Sequence, residues 1–254
     1  MDLHTLSPTL GVSLYNEQVF SDVLDVREFE HYRWFHLSSP AVQSLMNTAA
    51  PAQILLPVPQ SMLLFMLWKK SPLRVLNLGL GGGVFERFFN SHSTIDVVSV
   101  EQSQSIINMA KQYFALPEKT TVVNQSAQQY LKTQNEDNDV MLIDIYENKS
   151  VSSCLFHKNF YRDMNKNVTD NGVVFINLIV DSKKILLELL GVVGDIFQYS
   201  ALVEFSDYKN LVLILSRSPI PDKEQLVRLN NQGDNVANIN FDAFIDSLHY
   251  LTTK

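Results

Sequence analysis

The stretch from Leu73 to Glu101 restricts this chain more than any other part of it. Leu73–Leu78 reads as a buried strand. Gly79, Gly81, Gly82 and Gly83 follow, four glycines in five residues. Side chains would obstruct such a turn, and its backbone can approach a ligand. Val84–Asn90 starts a helix, and Ile95–Val100 is a second strand closed by Glu101. Strand, glycine turn, helix and strand make the first β-α-β of a nucleotide-binding sheet. The helix start presents free N–H groups. An acid at the end of the second strand can accept hydrogen bonds from both hydroxyls of a ribose. The same residues also fit a tight turn with no ligand and a surface acid.

The rest of the chain supplies the partners of that unit. Val12–Tyr15, Gln18–Val26 and Glu28–Leu37 are rich in β-formers and contain no proline, which predicts a small antiparallel sheet. Ser38-Ser39-Pro40 ends it, and Gln43 and Ser44 continue on a short extended piece. A helix is expected from Gln60 to Lys70, just after Pro59, with Met62, Phe65 and Met66 in the core. Beyond Glu101, helices are expected at Ser103–Phe114, at Ala127–Thr133 with Ser126 as cap, at Phe156–Asn167, and through about Val193 with Ser182 as cap. Strands are expected at Thr121–Val123, Asp139–Ile143, Val173–Leu178, Tyr199–Phe205 and Leu211–Ser216, the last two forming a hairpin. Thr169–Gly172 reads as a turn. The tail reads as two weak helices around an Asn-rich loop at Asn230, Asn231, Asn235, Asn238 and Asn240. This alternation predicts an α/β fold: a seven-stranded Rossmann-like sheet, mostly parallel with one antiparallel strand, behind a small N-terminal β domain. The expected divisions are 1–55 for the small β domain, 56–220 for the Rossmann-like domain, and 221–254 for a helical tail.

Composition narrows the ligand. A length of 254 residues suits one large domain with a small appendage. The net charge of −7 argues against general nucleic-acid binding and suits cationic substrates. A lone cysteine, Cys154, gives no internal disulfide and no cysteine-built zinc site. His31 and His36, on an expected strand, fall on opposite faces, so no metal is expected. Met1–His4 lacks the pattern of a secretory leader, and the apolar stretch at Met62–Trp68 is too short for a bilayer. A cytoplasmic protein with no membrane segment is the expectation.

In an open parallel sheet ligands bind beyond the carboxyl ends of the strands. There the sequence places the glycine turn, Glu101 with Gln102, the Gln125-Ser126-Ala127 segment, and Asp144. The glycines can underlie an amino-acid tail, Glu101 can hold the ribose, and Ser126 with Ala127 can lie near the base. Asp144 then faces the reacting end, where a carboxylate can take a proton from an amine or hold a cationic amine in line. Tyr146 and Glu147 follow in the same polar loop. Asp144 could instead cap a helix, and Glu147 could be a plain solvated acid.

These residues resemble the polyamine aminopropyltransferases, the spermidine synthase-like proteins, from about Val19 to Leu178. Ser39-Pro40-Ala41-Val42-Gln43-Ser44-Leu45-Met46 is similar to that family's Val-Gln segment. Gly79–Gly83 is similar to its glycine turn, Val98–Glu101 to its ribose-binding strand end, and Asp139–Asp144 to the strand ending in its catalytic acid. The resemblance implies binding of decarboxylated S-adenosylmethionine and transfer of its aminopropyl group to an amine acceptor. It implies that Gln43 touches the nucleoside, Glu101 holds the ribose and Asp144 assists the amine. It also implies a possible homodimer. Five positions depart from the family pattern. Gly82 stands where an acid holds the aminopropyl amine, and Ser126 where an acid reads the adenine. Glu147 replaces an Asp, and Val58 and Ser61 replace a tyrosine and an acid on the polyamine side. The lost acid at 82 makes S-adenosylmethionine itself, and hence methyl transfer, a second expectation. A catalytically silent nucleoside-binding protein is a third.

Overall fold

The structure, a computed structural model, describes residues 6–92, 94–147, 150–180, 182–233 and 239–251. The side chains of residues 146, 147, 150 and 151 lie outside that description.

Four strands, β1 (Val12–Val19), β2 (Asp22–Phe29), β3 (Tyr32–Leu37) and β4 (Ser44–Asn47), form an antiparallel meander in that order. The sheet was expected, but its boundaries differ. The segment read as Gln18–Val26 contains the β1–β2 turn, and His31 sits in the β2–β3 turn rather than on a strand. Both turns place a non-glycine residue in the left-handed region, Phe20 at φ 52° and Glu30 at φ 54°, so no glycine announces them. His36 is buried, accepting from Trp34 Nε1 at 2.9 Å and bonding Ala41 O at 3.1 Å.

The expected helix at Gln60–Lys70 is two shorter pieces, α1 (Pro57–Ser61) and a 3₁₀ turn at Leu64–Leu67. Met62 and Phe65 are core residues, as expected. The main sheet then begins with β5 (Leu73–Leu78), α2 (Val84–Phe89), β6 (Ile95–Glu101), α3 (Gln104–Tyr113), β7 (Thr121–Asn124), α4 (Ala127–Thr133) and β8 (Asn138–Ile143). A two-stranded ribbon, β9 (Tyr146–Glu147) and β10 (Ser150–Val151), leads to α5 (Lys158–Lys166). Strand β11 (Val168–Ile179) includes Thr169–Gly172, expected as a turn. That stretch is a shift in register, with Val168 opposite Asn138 and Val173 opposite Val140. The chain continues through α6 (Lys183–Val193), β12 (Tyr199–Glu204), β13 (Asn210–Ser216), α7 (Lys223–Gln232), α8 (Asp242–Asp246) and β14 (Leu248–Leu251).

The main sheet runs β14-β12-β13-β11-β8-β5-β6-β7. Its parallel centre, β11-β8-β5-β6-β7, and the reversed β13 are the expected arrangement. An eighth strand is the difference. The tail, expected to be helical, ends in β14, which pairs antiparallel with β12. Of the Asn-rich loop, Asn235 and Asn238 lie outside the described residues. Helices cover both faces of the sheet. α1, α2, α7 and α8 pack on one face over Val75, Leu142 and Phe175, and α4, α5 and α6 on the other over Leu76, Met141 and Ile176. Burial on both faces explains why the central strands are nearly continuous apolar runs. The meander seats Leu24, Val26, Phe35 and Met46 against Ile106, Met109 and Phe114 of α3 and its end. That contact brings β4 to the glycine turn.

Candidate active site

Because the five central strands are parallel, their carboxyl ends lie in one row. Backbone hydrogen bonds tie the row together. Asp144 N donates to Leu78 O at 2.9 Å, Gly79 N to Val100 O at 2.9 Å, and Gln125 N to Glu101 O at 3.1 Å. Asp144, Gly79, Glu101 and Ser126 thus follow β8, β5, β6 and β7 across three strand spacings, about 14 Å. Gln102 and Ala127 lie in the same row. The sheet brings together the expected nucleoside residues that follow its strands.

Glu101 is half-buried and already engaged. Its Oε2 accepts Leu80 N at 3.2 Å and its Oε1 accepts Ser103 N at 2.8 Å. It therefore ties the glycine turn to the start of α3. Burial pushes its carboxyl above the usual range, and the backbone N–H donors pull it back. Ser126 caps α4, its Oγ accepting Gln129 N at 3.3 Å.

The glycines divide by cause. A Cβ on Gly79, whose φ is +100°, would lie 2.1 Å from Asp144 O. On Gly82 it would lie 2.4 Å from Ser44 Oγ and 3.0 Å from Phe114 Cδ1, and on Gly83 2.7 Å from Leu116 Cδ1. Only on Gly81, at φ +52°, would it meet nothing within 4 Å. Packing leaves no room for a side chain at Gly79 and Gly82, the left-handed φ of +72° favours glycine at Gly83, and Gly81 alone leaves open room. The lack of a side chain at position 82 follows from Ser44, which β4 delivers from the meander. Gln43 precedes it, half-buried, its N donating to Phe35 O at 2.9 Å. Arg87 fixes the turn from behind, donating to Gly82 O, to Phe114 O at 2.9 Å and to Pro51 O at 2.7 Å.

Asp144 is partly buried as a residue, with its carboxyl enclosed by protein. Burial pushes its carboxyl up, and one donor, Asn177 Nδ2 at 2.8 Å, opposes that. An acid in this setting can exchange a proton with a group placed beside it. Neither Asn177 nor its partner Asn210 was expected at the site, because only pairing of β8, β11 and β13 brings them there. Val58 and Ser61 are core residues of α1, with Ser61 Oγ donating to Val58 O at 2.8 Å, so they offer nothing to a ligand. The Tyr146 and Glu147 side chains, expected on the acceptor side, lie outside the described residues. Among the described residues no cluster of three or more His, Cys, Asp or Glu could hold a metal, and no helix is long and apolar enough to cross a membrane.

The Spermine/spermidine synthase domain matches residues 60–211. The chain belongs to this family. A polyamine aminopropyltransferase of Chromobacterium violaceum is 28% identical over 158 residues, 61% of this chain and 60% of that one. The Neisseria meningitidis polyamine aminopropyltransferase is 24% identical over 221 residues, covering 84% of this chain and 82% of that one. The fold is also that of a probable spermidine synthase from Corynebacterium glutamicum, with a TM-score of 0.73 at 12% identity over 96% of this chain and 91% of that one. Membership of the spermidine synthase family agrees with the resemblance read from Gly79–Gly83, Glu101 and Asp144.

Proposed function

We propose that this protein transfers the aminopropyl group of decarboxylated S-adenosylmethionine to an amine, with Asp144 as the group that takes the amine's proton. The observation that carries the reading is the placement of Asp144, a partly buried acid whose carboxyl is pushed up by burial, in the same strand-end row as Gly81 and Glu101. In the reaction a neutral amine nitrogen forms a bond to the carbon beside the sulfonium. The carbon–sulfur bond breaks, and its electron pair neutralises the sulfur as methylthioadenosine leaves. The nitrogen, now positively charged, loses a proton. Amines are protonated at neutral pH, so a carboxylate that both holds the cation and accepts its proton serves attack and product formation alike. Alignment of amine and carbon supplies much of the rate.

Glu101 would hold the ribose through the lone pairs its backbone donors leave free. Gly81 gives the room over which the aminopropyl chain can pass, and Ser126 and Ala127 flank the base. Gln43, Gln102, Tyr146 and Glu147 complete the proposed contacts.

Calorimetric titration with S-adenosylmethionine, its decarboxylated form and methylthioadenosine, followed by transfer assays with a panel of diamines, tests the reading. Tighter binding of the decarboxylated nucleoside and release of methylthioadenosine with a diamine are expected. Preference for S-adenosylmethionine would move the assignment to methyl transfer. Binding without turnover on any amine would make the protein a silent nucleoside binder.

A further inference from the structure

Asp144 stands at the end of a line of side-chain amides. Asn177 of β11 donates its Nδ2 to Asp144 Oδ1 at 2.8 Å. Asn210, the first residue of β13, donates its Nδ2 to Asn177 Oδ1 at 2.9 Å. The sheet register produces this line. Val212 lies opposite Asn177 in the antiparallel pair of β11 and β13. Asn210 is therefore the diagonal neighbour of Asn177 on the same face, within side-chain reach.

A carboxamide carries a donor at one end and an acceptor at the other. With Oδ1 of Asn177 held by Asn210, its NH₂ end is the one that faces Asp144. We propose that Asn210 locks the amide of Asn177 in this orientation, so that Asn177 always presents a donor to Asp144 and keeps it a proton acceptor. Asn177 and Asn210 are then positioning residues for the carboxylate that takes the amine's proton, an inference that rests on the function proposed above. A flipped Asn177 would turn its carbonyl oxygen to Asp144. That arrangement matches a protonated acid, which cannot take a further proton. The surroundings leave this role to the amides. β5 offers Asp144 the backbone of Leu78 and Gly79, β11 offers Asn177, and no charged side chain among the described residues adds to the shift of Asp144.

Two variants of the full chain separate the parts. Asn177→Leu removes the amide and keeps the branched shape of the side chain. Asn210→Ser, at the half-exposed start of β13, leaves Asn177 in place and releases its lock. The first readout is independent of activity: the carboxyl titration of Asp144 followed by NMR in protein labelled with ¹³C-aspartate, its resonance assigned by loss in Asp144→Asn. The midpoint should rise in both variants, more in Asn177→Leu. The second readout is steady-state transfer from decarboxylated S-adenosylmethionine to a diamine. There the acid limb of the kcat profile should rise in step, kcat at pH 7 should fall about tenfold in Asn177→Leu, and KM for the nucleoside should hold. Asn177→Gln, which restores an amide donor, should recover part of the loss.

An unchanged midpoint in Asn177→Leu would overturn the inference even if the rate fell. Should that variant not fold, an unchanged midpoint in Asn210→Ser overturns the lock. Raised midpoints in a protein that transfers no aminopropyl group would support the amide line and sink the functional reading alone.

Discussion

Strands β5 and β6 carry two polar groups of opposite character, two residues apart. At their ends stands the row of Gly79, Glu101 and, beside them, Asp144. One alternation further back stand Asn77 and Ser99, which meet Glu86 of α2. In this second group all three side chains are sealed, Asn77 and Ser99 at 0% exposure and Glu86 at 1%. Glu86 Oε1 accepts both Asn77 Nδ2 at 2.7 Å and Ser99 Oγ at 2.5 Å. Glu86 Oε2 and Asn77 Oδ1 are buried with no hydrogen-bond partner among the described residues. Burial raises Glu86, Glu101 and Asp144 alike. A raised acid therefore does not mark the site. Exposure of the residue does: Asp144 and Glu101 are only partly buried, and Glu86 is sealed. A raised acid at an open strand end can exchange its proton with a ligand. The same acid under a helix can act only on stability.

The largest expected effect tests the open group. Asp144→Asn keeps size and an acceptor oxygen but cannot take a proton. Turnover should fall by about 10²-fold or more, while calorimetric affinity for the nucleoside stays within a few-fold. Full rate in this variant would make Asp144 as structural as Glu86 and erase the contrast. Glu101→Ala comes next. It removes the acceptor for Leu80 N and Ser103 N as well as the proposed ribose contact. Hydrogen bonds to a charged group are worth about 1.5–3 kcal/mol, so nucleoside affinity should fall about tenfold to a hundredfold. Unchanged affinity would leave Glu101 as a tie between the turn and α3, with no ligand role.

The row was legible in the sequence because it depends on local order. Apolar runs fix the strands, glycines and acids follow them, and parallel pairing sends those residues to one end. The caps at Ser126 and Ser182 were legible for the same reason, since each accepts from the N–H three residues on. What was hidden depends on partners distant in sequence. Gly82 is small because Ser44 of another sheet fills its side-chain space, a cause that no local pattern carries. Asn177 and Asn210 meet through strand register. Leu248–Leu251 has two exposed residues in four, too short and too mixed to declare a strand until β12 pairs with it. Glu86 reads as an ordinary helix residue until α2 turns it onto the sheet.

Glu86→Gln sharpens the sealed half of the comparison. Burial raises the Glu86 carboxyl, and in the unfolded chain it returns to the ordinary range. Between those two values the native state binds more protons than the unfolded state, so Glu86 lowers stability as pH rises through that window. Glutamine cannot ionise, yet its oxygen can still accept from Asn77 and Ser99. The variant should be more stable than the parent by about 1–3 kcal/mol above the window, with the gap closing as pH falls below the ordinary carboxylate range. Denaturant melts at several pH values measure this. A gap of the opposite sign would mean that Glu86 is ionised and held by the neighbouring Arg87, making it a paired charge rather than a sealed acid.

The smallest effect separates structure from recognition within the row itself. Ser126 accepts Gln129 N as the cap of α4, and in the proposed function it also flanks the base of the nucleoside. Loss of a serine cap costs about 1 kcal/mol. Ser126→Ala should therefore lower stability by about that amount whatever the ligand does. If Ser126 also touches the base, nucleoside affinity should fall by a few-fold more than in Ser182→Ala, which removes an equivalent cap from α6. Equal affinities in the two variants would assign Ser126 to the helix alone. The open row would then reach from Asp144 only as far as Glu101, and base recognition would have to come from Gln102 or Ala127, the neighbours of the two strand ends.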